Sequence, residues 1–148
     1  MLDVERKLRV LVVDDCGDTA EGIATLLAMF GQAPRTARTG FEAIALARSF
    51  EPELVLLDIA LPDLSGYDVA RELRRSHPRS YLVALTGHVR AADRERAYRS
   101  GFDVHVAKPI GADSLMVLVE VARREASCRP SASRSRAAAT YSTTSDPT

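Results

Sequence analysis

The sequence predicts an α/β protein in which a parallel sheet is wrapped by helices. Short apolar runs typical of buried strands alternate five times with segments whose apolar residues recur at helical spacing. These runs also end next to polar residues that suit the carboxyl edge of such a sheet, where open α/β proteins place their ligand sites: Asp14, Asp58, Thr86 and Lys108. The 148 residues are enough for one domain with a substantial core.

The first elements read as strand, helix and a short edge strand. The first strand covers residues 8–13, and the helix after it has apolar residues at i, i+3, i+4 and i+7: Ile23, Leu26, Leu27 and Phe30. We expect Asp18 or Thr19 to be the N-cap of this helix. The second strand lies around residues 35–37 and follows Pro34, which favours a sheet edge because proline cannot donate a ladder hydrogen bond.

The rest of the chain repeats the alternation until residue 126. We predict helices over residues 40–50, 67–75, 91–99 and 114–125, and strands over residues 54–58, 81–85 and 104–107. From Ser127 onward large aliphatic residues almost vanish and Ser, Thr, Ala and Arg dominate. Such a segment cannot bury enough apolar surface to offset its ordering entropy. We therefore expect a folded domain over residues 1–126 and a disordered tail over residues 127–148.

Composition narrows the class of protein. Lys plus Arg and Asp plus Glu number 20 each, so the net charge of zero favours neither nucleic acid nor an anionic membrane surface as partner. The apolar runs are too short to cross a bilayer, and the charged N-terminus offers no signal-peptide core. The two cysteines show no metal-ligand spacing. These features together favour a cytoplasmic protein.

Asp58 has two interpretations when it is considered alone. It ends a run of apolar residues and is followed by Pro62 and Gly66, so it stands on a rigid strand end beside a sharp turn. Such a carboxylate can act as a nucleophile toward a phosphoryl group. The alternative is a carboxylate that only caps the next helix.

Other strand ends decide between these interpretations. Right-handed crossovers bring the acid pair Asp14-Asp15, Asp58, Thr86 and Lys108 to one edge of the sheet. Gathered carboxylates repel unless a cation lies among them, and Mg²⁺ is the natural one because it accepts carboxylate, water and phosphate oxygens. A lysine and a hydroxyl complete a site for a tetrahedral dianion. The sequence therefore predicts a phosphoryl-transfer site.

The same residues form a pattern that resembles the receiver domain of two-component response regulators over residues 8–125. The motifs are Val-Val-Asp-Asp, Leu-Leu-Asp-Ile-x-Leu-Pro-x-x-x-Gly, Ala-Leu-Thr-Gly and Lys-Pro. The resemblance implies a flavodoxin-like (βα)5 doubly wound sheet with strand order 2-1-3-4-5. It also implies that Asp58 accepts a phosphoryl group from a histidine kinase or a histidine phosphotransfer protein.

The resemblance assigns a role to each site residue. Mg²⁺ would be held by Asp14, Asp15, Asp58 and the backbone carbonyl of Ala60. Thr86 would hydrogen-bond the phosphoryl group and Lys108 would ion-pair with it, aimed by a cis Lys108–Pro109 peptide bond.

Two positions depart from the family pattern. His105 stands where the family usually has Tyr or Phe as a switch aromatic, which leaves the output conformation open. Ala60, two residues beyond the acceptor, has no side chain that could shield or steer an attacking water, which leaves the lifetime of the phosphoryl group open.

We therefore predict a signalling module rather than an enzyme with a separate substrate. It would dock a downstream protein through the face formed by the fourth and fifth strands and helices, as a monomer or a weak dimer. A relay intermediate or phosphate sink is the alternative. A haloacid-dehalogenase-type phosphatase needs a second Asp where Ala60 stands, a nucleotide-binding protein needs a Gly-rich loop after the first strand, and no DNA-binding helix-turn-helix follows residue 125.

Three residues near these motifs have simpler interpretations. Cys16 is expected to be a small buried apolar residue rather than a redox sensor. His77 is expected to cap the third helix, and His88 to be a solvated loop residue.

Overall fold

The computed structural model describes residues 6–87 and 91–128, which alternate strictly between strand and helix. The ten elements in chain order are β1 (Arg9–Val13), α1 (Gly17–Met29), β2 (Ala33–Ala37), α2 (Gly40–Phe50), β3 (Leu54–Asp58), α3 (Gly66–Ser76), β4 (Tyr81–Thr86), α4 (Ala91–Ser100), β5 (Val104–Ala107) and α5 (Ala112–Cys128).

All five strands pair in parallel, in the order β2-β1-β3-β4-β5. The predicted flavodoxin-like fold and its strand order are therefore confirmed. β3 is the central strand, and its residues 54–57 have no exposed surface because it has a strand on either side and helices on both faces. Parallel pairing places the carboxyl ends of β1, β3, β4 and β5 along one edge of the sheet.

Successive residues of each strand contribute to two separate cores, because side chains alternate between the faces of a sheet. One core joins the sheet to α1 and α5 and includes Val10, Val12, Leu54, Leu56, Ile23 and Leu115. The other joins the opposite face to α2, α3 and α4 and includes Leu11, Val55, Leu57, Ala43, Leu73 and Ala97. Over the described residues, helices therefore cover both faces of the sheet, and the ends of the strands are left for a binding site.

The start of α1 differs from the prediction. Its N-cap is Cys16, with no side-chain capping bond, so the assignment of Asp18 or Thr19 is wrong. The carboxylate of Asp14 accepts a hydrogen bond from the Cys16 N–H over 2.9 Å and so shapes the turn before the helix. Cys16 is exposed, because it lies on the turn that leaves the sheet edge, and the expectation of a buried cysteine is also wrong.

Several elements are longer than the sequence pattern indicates. β2 begins at Ala33 because it pairs residue by residue with β1, and Pro34 lies on an edge strand as expected. α3 begins at Gly66, since the Ser65 hydroxyl accepts the Asp68 N–H, and it ends at Ser76 with His77 as its C-cap, as predicted. α5 reaches Cys128, beyond the predicted end at residue 125 and beyond the proposed domain boundary at residue 126. His88 and residues 129–148 lie outside the described residues.

Arg74 joins the C-terminal part of α3 to the loops around β4 and β5. Its guanidinium donates to the carbonyls of Pro78, Ser80 and Gly101. It also forms an ion pair with the fully buried carboxylate of Asp103 at 2.7 Å, and that carboxylate accepts the N–H of Leu82. One side chain therefore fixes the relative positions of α3, β4 and the loop before β5.

None of the helices within residues 6–87 and 91–128 is both long and apolar enough to span a membrane.

Candidate functional site

Three carboxylates meet at the carboxyl edge of the sheet. Asp14 and Asp15 directly follow β1, and Asp58 is the last residue of β3, which is paired with β1. Carboxylate oxygens of the three lie within 4.8 Å of one another. Asp14 is fully buried and Asp58 nearly so, whereas Asp15 is exposed. The cluster therefore opens to solvent on the side of Asp15.

Backbone N–H groups fix the orientation of the two buried carboxylates. Asp14 Oδ1 accepts the N–H of Cys16 over 2.9 Å, and Asp58 Oδ1 accepts the N–H of Ala60 over 3.1 Å. In both residues the acceptor is Oδ1 and the donor lies two residues further along the chain. Each residue therefore keeps Oδ2 for other partners.

Lys108 reaches both Oδ2 atoms from the end of β5. Its Nζ lies 3.0 Å from Asp14 Oδ2 and 3.3 Å from Asp58 Oδ2. The Lys108 N–H donates to the Thr86 carbonyl over 2.8 Å, which ties the end of β5 to the end of β4, and the Lys108–Pro109 peptide bond is cis. One ammonium group thus bridges two carboxylates that come from different strands.

Burial and charge act in opposite directions on these groups. Burial raises the pKa of Asp58 above its ordinary value, although the Ala60 N–H bond and the charge of Lys108 work to lower it. Burial would lower the pKa of Lys108, but its hydrogen bond to Asp14 and the negative charge of Asp58 outweigh this and raise that pKa. The site therefore keeps Lys108 charged and disfavours an unpaired negative charge on Asp58.

The donor set fits a hard divalent cation. Three carboxylates whose oxygens come within 4.8 Å of one another offer oxygen ligands only, and one of them faces solvent. Mg²⁺ binds through a few carboxylates and fills its other positions with water and phosphate oxygens. Asp14, Asp15 and Asp58 would hold the ion. Ala60 lies two residues after the end of β3, close enough for its N–H to donate to the Asp58 carboxylate.

The remaining predicted residues lie on the neighbouring strands. Thr86 is the last residue of β4 and is half-buried beside the end of β3. His105 lies in β5, is paired with Ala84 of β4 and is also half-buried. The structure thus brings Thr86 to the same edge as the acids and places His105 one strand further out.

The loop between β3 and α3 is held by contacts that the sequence analysis missed. The Gly66 N–H donates to the Ile59 carbonyl over 2.8 Å, and a Cβ atom added at Gly66 would lie 2.5 Å from Ile59 Cα. Asp63 accepts the N–H groups of Gly40 and Phe41, so the loop caps α2 as well. No local motif shows this cap, because Asp63 lies more than twenty residues from the amides that it binds.

An apolar cavity of about 310 Å³ lies beside the site. It runs between α1 and the loop after β5 and is lined by Thr19, Ile23, Leu85, Lys108, Pro109 and Ile110. Lys108 therefore separates the acid cluster from an apolar surface.

Comparison with known proteins identifies the family. A family model described as the response regulator receiver domain matches residues 10–120. The chain belongs to this family. Receiver domains and the response regulators that contain them are signalling proteins, which agrees with the predicted class.

Two curated relatives illustrate the resemblance. A probable transcriptional regulatory protein of Mycobacterium tuberculosis, TcrX, is 38% identical over 108 residues, which cover 73% of this chain and 46% of the relative. The cell cycle response regulator CtrA of Brucella abortus is 32% identical over 112 residues, which cover 76% of this chain and 48% of the relative. The receiver chain thus spans about half the length of the curated relatives that it matches.

The solved structures support the same fold. A CheY-like response regulator receiver domain protein from Methanospirillum hungatei superposes with a TM-score of 0.79 at 22% identity, over 84% of this chain and all of the other. At that identity the likeness concerns the fold.

Proposed function

We propose that this receiver domain accepts a phosphoryl group on Asp58 from a histidine kinase or a histidine phosphotransfer protein, with Mg²⁺ bound by the acid cluster. The observation that carries the proposal is the bridge made by Lys108 Nζ between Asp14 and Asp58 inside that cluster. Transfer of a dianionic phosphoryl group needs a nucleophile and positive charge beside it, and this bridge places a cation in contact with the Asp58 carboxylate.

In the proposed reaction the Asp58 carboxylate attacks phosphorus as the bond from phosphorus to the donor's imidazole nitrogen breaks. The leaving imidazole keeps the bonding electron pair, and the product is an aspartyl phosphate. Asp14, Asp15 and Asp58 would hold Mg²⁺, which would supply positive charge to the transferred oxygens. Asp58 is oriented for attack because the Ala60 N–H holds its Oδ1 atom.

Lys108 and Thr86 would stabilise the product. Lys108 Nζ already lies 3.3 Å from Asp58 Oδ2, so it can pair with a phosphoryl oxygen attached there. Thr86 ends β4 next to the last residue of β3 and can offer its hydroxyl as a hydrogen-bond donor. A shift of Thr86 toward the phosphoryl group would free space beside His105, and this would alter the face formed by β4, α4, β5 and α5.

The proposed partners are proteins. The apolar cavity between α1 and Pro109 opens beside Lys108 and can accept an apolar side chain of a docked donor. A downstream protein would bind the face of α4, β5 and α5, through which a weak dimer could also form. The net charge of zero over the whole chain does not favour nucleic acid as a partner. Transcriptional regulation appears in the name of a relative that is about twice as long as this chain. We place the exchange in the cytoplasm.

A phosphate sink or relay intermediate is a second candidate. Ala60 is exposed and carries only a methyl group, so no side chain at that position blocks water from the acyl phosphate. A short lifetime of the phosphoryl group would favour this role over lasting output.

The test is incubation with acetyl phosphate, with and without Mg²⁺, followed by intact mass measurement. We expect one phosphoryl increment that requires Mg²⁺ and disappears in Asp58→Asn. Undiminished labelling of Asp58→Asn, or full labelling in excess EDTA, would contradict the proposal.

A further inference from the structure

Arg38 lies beside the acid cluster, on the side opposite to Lys108. It follows the last residue of β2, Ala37, whose carbonyl accepts the N–H of Asp14 over 3.1 Å. Arg38 Nε donates to the carbonyl of Asp15 over 3.3 Å. Lys108 approaches the cluster from β5 and contacts Asp14 and Asp58 but not Asp15. The two cations therefore flank the three carboxylates from opposite edge strands of the sheet.

One hydrogen bond holds the Arg38 side chain, a second fixes its backbone, and Gly17 lies close beside its guanidinium. The Arg38 N–H donates to Glu42 Oε1 over 2.9 Å, which fixes the backbone, and Nε is held by Asp15. A Cβ atom added at Gly17 would lie 3.1 Å from Arg38 Cζ. Gly17 does not have a positive φ, so its backbone conformation does not require glycine. Because Gly17 has no side chain, the guanidinium of Arg38 can lie close to the start of α1.

The charge of Arg38 is not cancelled by a paired acid. Within residues 6–87 and 91–128, the ion pairs of 4.0 Å or less do not include this arginine. Three carboxylates, Lys108 and a bound Mg²⁺ sum to no net charge, so an incoming phosphoryl dianion would meet a neutral site. Arg38 adds a positive charge on the side of Asp15, and Glu42, whose carboxylate accepts the Arg38 backbone N–H, forms no ion pair with its guanidinium among the described residues.

We propose that Arg38 is a positioning residue for phosphoryl transfer to Asp58: its guanidinium attracts the phosphoryl dianion of the donor on the exposed side of the cluster, and it opposes binding of Mg²⁺. The proposal rests on the phosphoacceptor function and adds the residue that governs entry of the donor. Its two effects have opposite signs, since one fixed positive charge attracts an anion and repels a cation.

The decisive variant is Arg38→Gln, which keeps a polar side chain that can still donate to the Asp15 carbonyl. Acetyl phosphate is the donor; Asp58 forms a bond to phosphorus while the bond from phosphorus to the acetyl oxygen breaks and acetate leaves. At low salt and saturating Mg²⁺ we expect the initial rate to fall by roughly two- to fivefold. The dissociation constant for Mg²⁺, measured by calorimetry on the unphosphorylated protein, should fall by a similar factor. Both differences should shrink at about 1 M salt, where screening acts within about 3 Å.

Three further variants separate charge from structure. Arg38→Lys keeps the charge and should recover most of the wild-type rate. Gly17→Ala keeps the charge and moves the guanidinium by only a few tenths of an ångström, because the added Cβ would lie 3.1 Å from the end of a flexible side chain, so it should leave the rate and the Mg²⁺ affinity close to those of the wild type. Arg48→Ala removes an exposed arginine from the last turn of α2, away from the cluster, and should change neither quantity.

The outcomes are distinguishable. Slower phosphorylation together with tighter Mg²⁺ binding in Arg38→Gln supports the proposal, whereas any other combination, including weakening of both, overturns it. A wild-type chain that takes up no phosphoryl group at Asp58 refutes the phosphoacceptor function itself and with it the role of Arg38. A wild-type chain that is phosphorylated while Arg38→Gln behaves identically refutes the role of Arg38 alone.

Discussion

Lys108 Nζ lies 3.0 Å from Oδ2 of Asp14, although 94 residues separate the two in sequence. Asp14 has no exposed surface, so removal of the ammonium leaves a buried carboxylate whose main counter-charge is gone. This contact is therefore part of the candidate site, and it also stabilises the edge of the sheet where β1 and β5 end.

The lysine should stabilise the metal-free protein more than the metal-loaded one. Lys108→Ala should lower the free energy of unfolding by about 2 kcal/mol in EDTA, because Asp14 stays buried without its partner. Excess Mg²⁺ should reduce that loss, since the ion also neutralises the carboxylates. Urea unfolding in both buffers measures the difference. Lys7→Ala, which removes an exposed lysine, is the control and should cost little in either buffer. An equal loss for Lys108→Ala in EDTA and in Mg²⁺ would refute the coupling.

Ionisation of Asp58 should destabilise the metal-free protein. Burial raises the pKa of Asp58 above the ordinary 3.8, so over the interval between the two values the folded protein binds more protons than the unfolded chain. Its stability should then fall as pH rises through that interval, and the loss should persist at neutral pH. Asp58→Asn removes the ionisation and should melt higher than wild type at pH 7 in EDTA. A wild-type protein that melts higher than the variant under these conditions would contradict this account.

Gly66 is required by the close approach of the β3–α3 loop. A Cβ atom there would lie 2.5 Å from Ile59 Cα and 2.7 Å from the Asp58 carbonyl oxygen, so Gly66→Ala should cost about 1–3 kcal/mol and slow phosphorylation by moving Asp58. Gly22→Ala is the matched change, because nothing lies within 4 Å of its added Cβ inside α1. That variant should gain about 1 kcal/mol from helix propensity and keep its phosphorylation rate. Equal thermal shifts in the two variants would exclude the steric explanation.

Arg74 should be the most costly arginine to remove among those with a described ion pair. Arg74→Ala removes the ion pair that the buried carboxylate of Asp103 forms at 2.7 Å and should cost about 3–5 kcal/mol. Arg99→Ala breaks an exposed pair with Glu95 within α4 and should cost no more than about 0.5 kcal/mol. Chemical denaturation of both variants tests the comparison, which fails if the two losses are similar.

The replacement of the usual switch aromatic by His105 should make the active conformation sensitive to pH. Histidine gains its proton between about pH 6.5 and 5.5, and entry of a charged ring into the space beside Thr86 carries a desolvation cost. The inward state should therefore lose population as pH falls through that range. Chemical shifts of β4 and α4 in a beryllofluoride complex can follow it. His105→Phe should show no such loss, and an equal response in both proteins would rule out a switch role.

The fold could be predicted because its signals are local. β1, β3 and β4 are short apolar runs, and the polar residues at their ends directly follow or close these runs. Parallel pairing then brings Asp14, Asp58 and Lys108 to the same edge of the sheet, but how close they lie depends on the strand order. The family resemblance added the strand order, which local patterns do not contain.

The contacts that the sequence did not reveal depend on distant pairs. Arg38 reaches Asp15 only because β2 pairs with β1, and Asp63 caps α2 only because the β3–α3 loop folds back over it. The wrong N-cap of α1 has a similar cause, since Asp14 bonds the Cys16 N–H and shapes the turn in place of a local cap. Such bonds have no period or motif that a linear pattern can show.

The central position of β3 has a consequence for how the molecule opens. Strand interiors in a packed core exchange their amide hydrogens slowly, whereas exposed loops and edge strands open more often. Asp58 is the last residue of the strand that is buried along its whole length, while Arg38 follows an edge strand and Ala60 lies in an exposed part of a loop. The backbone amide of Asp58 should thus belong to the part of the fold that exchanges hydrogen most slowly. The amides of Arg38 and Ala60, which form the rim of the site, should exchange faster. Repeated encounters with donors can then rearrange the rim without shifting the atom that carries the phosphoryl group.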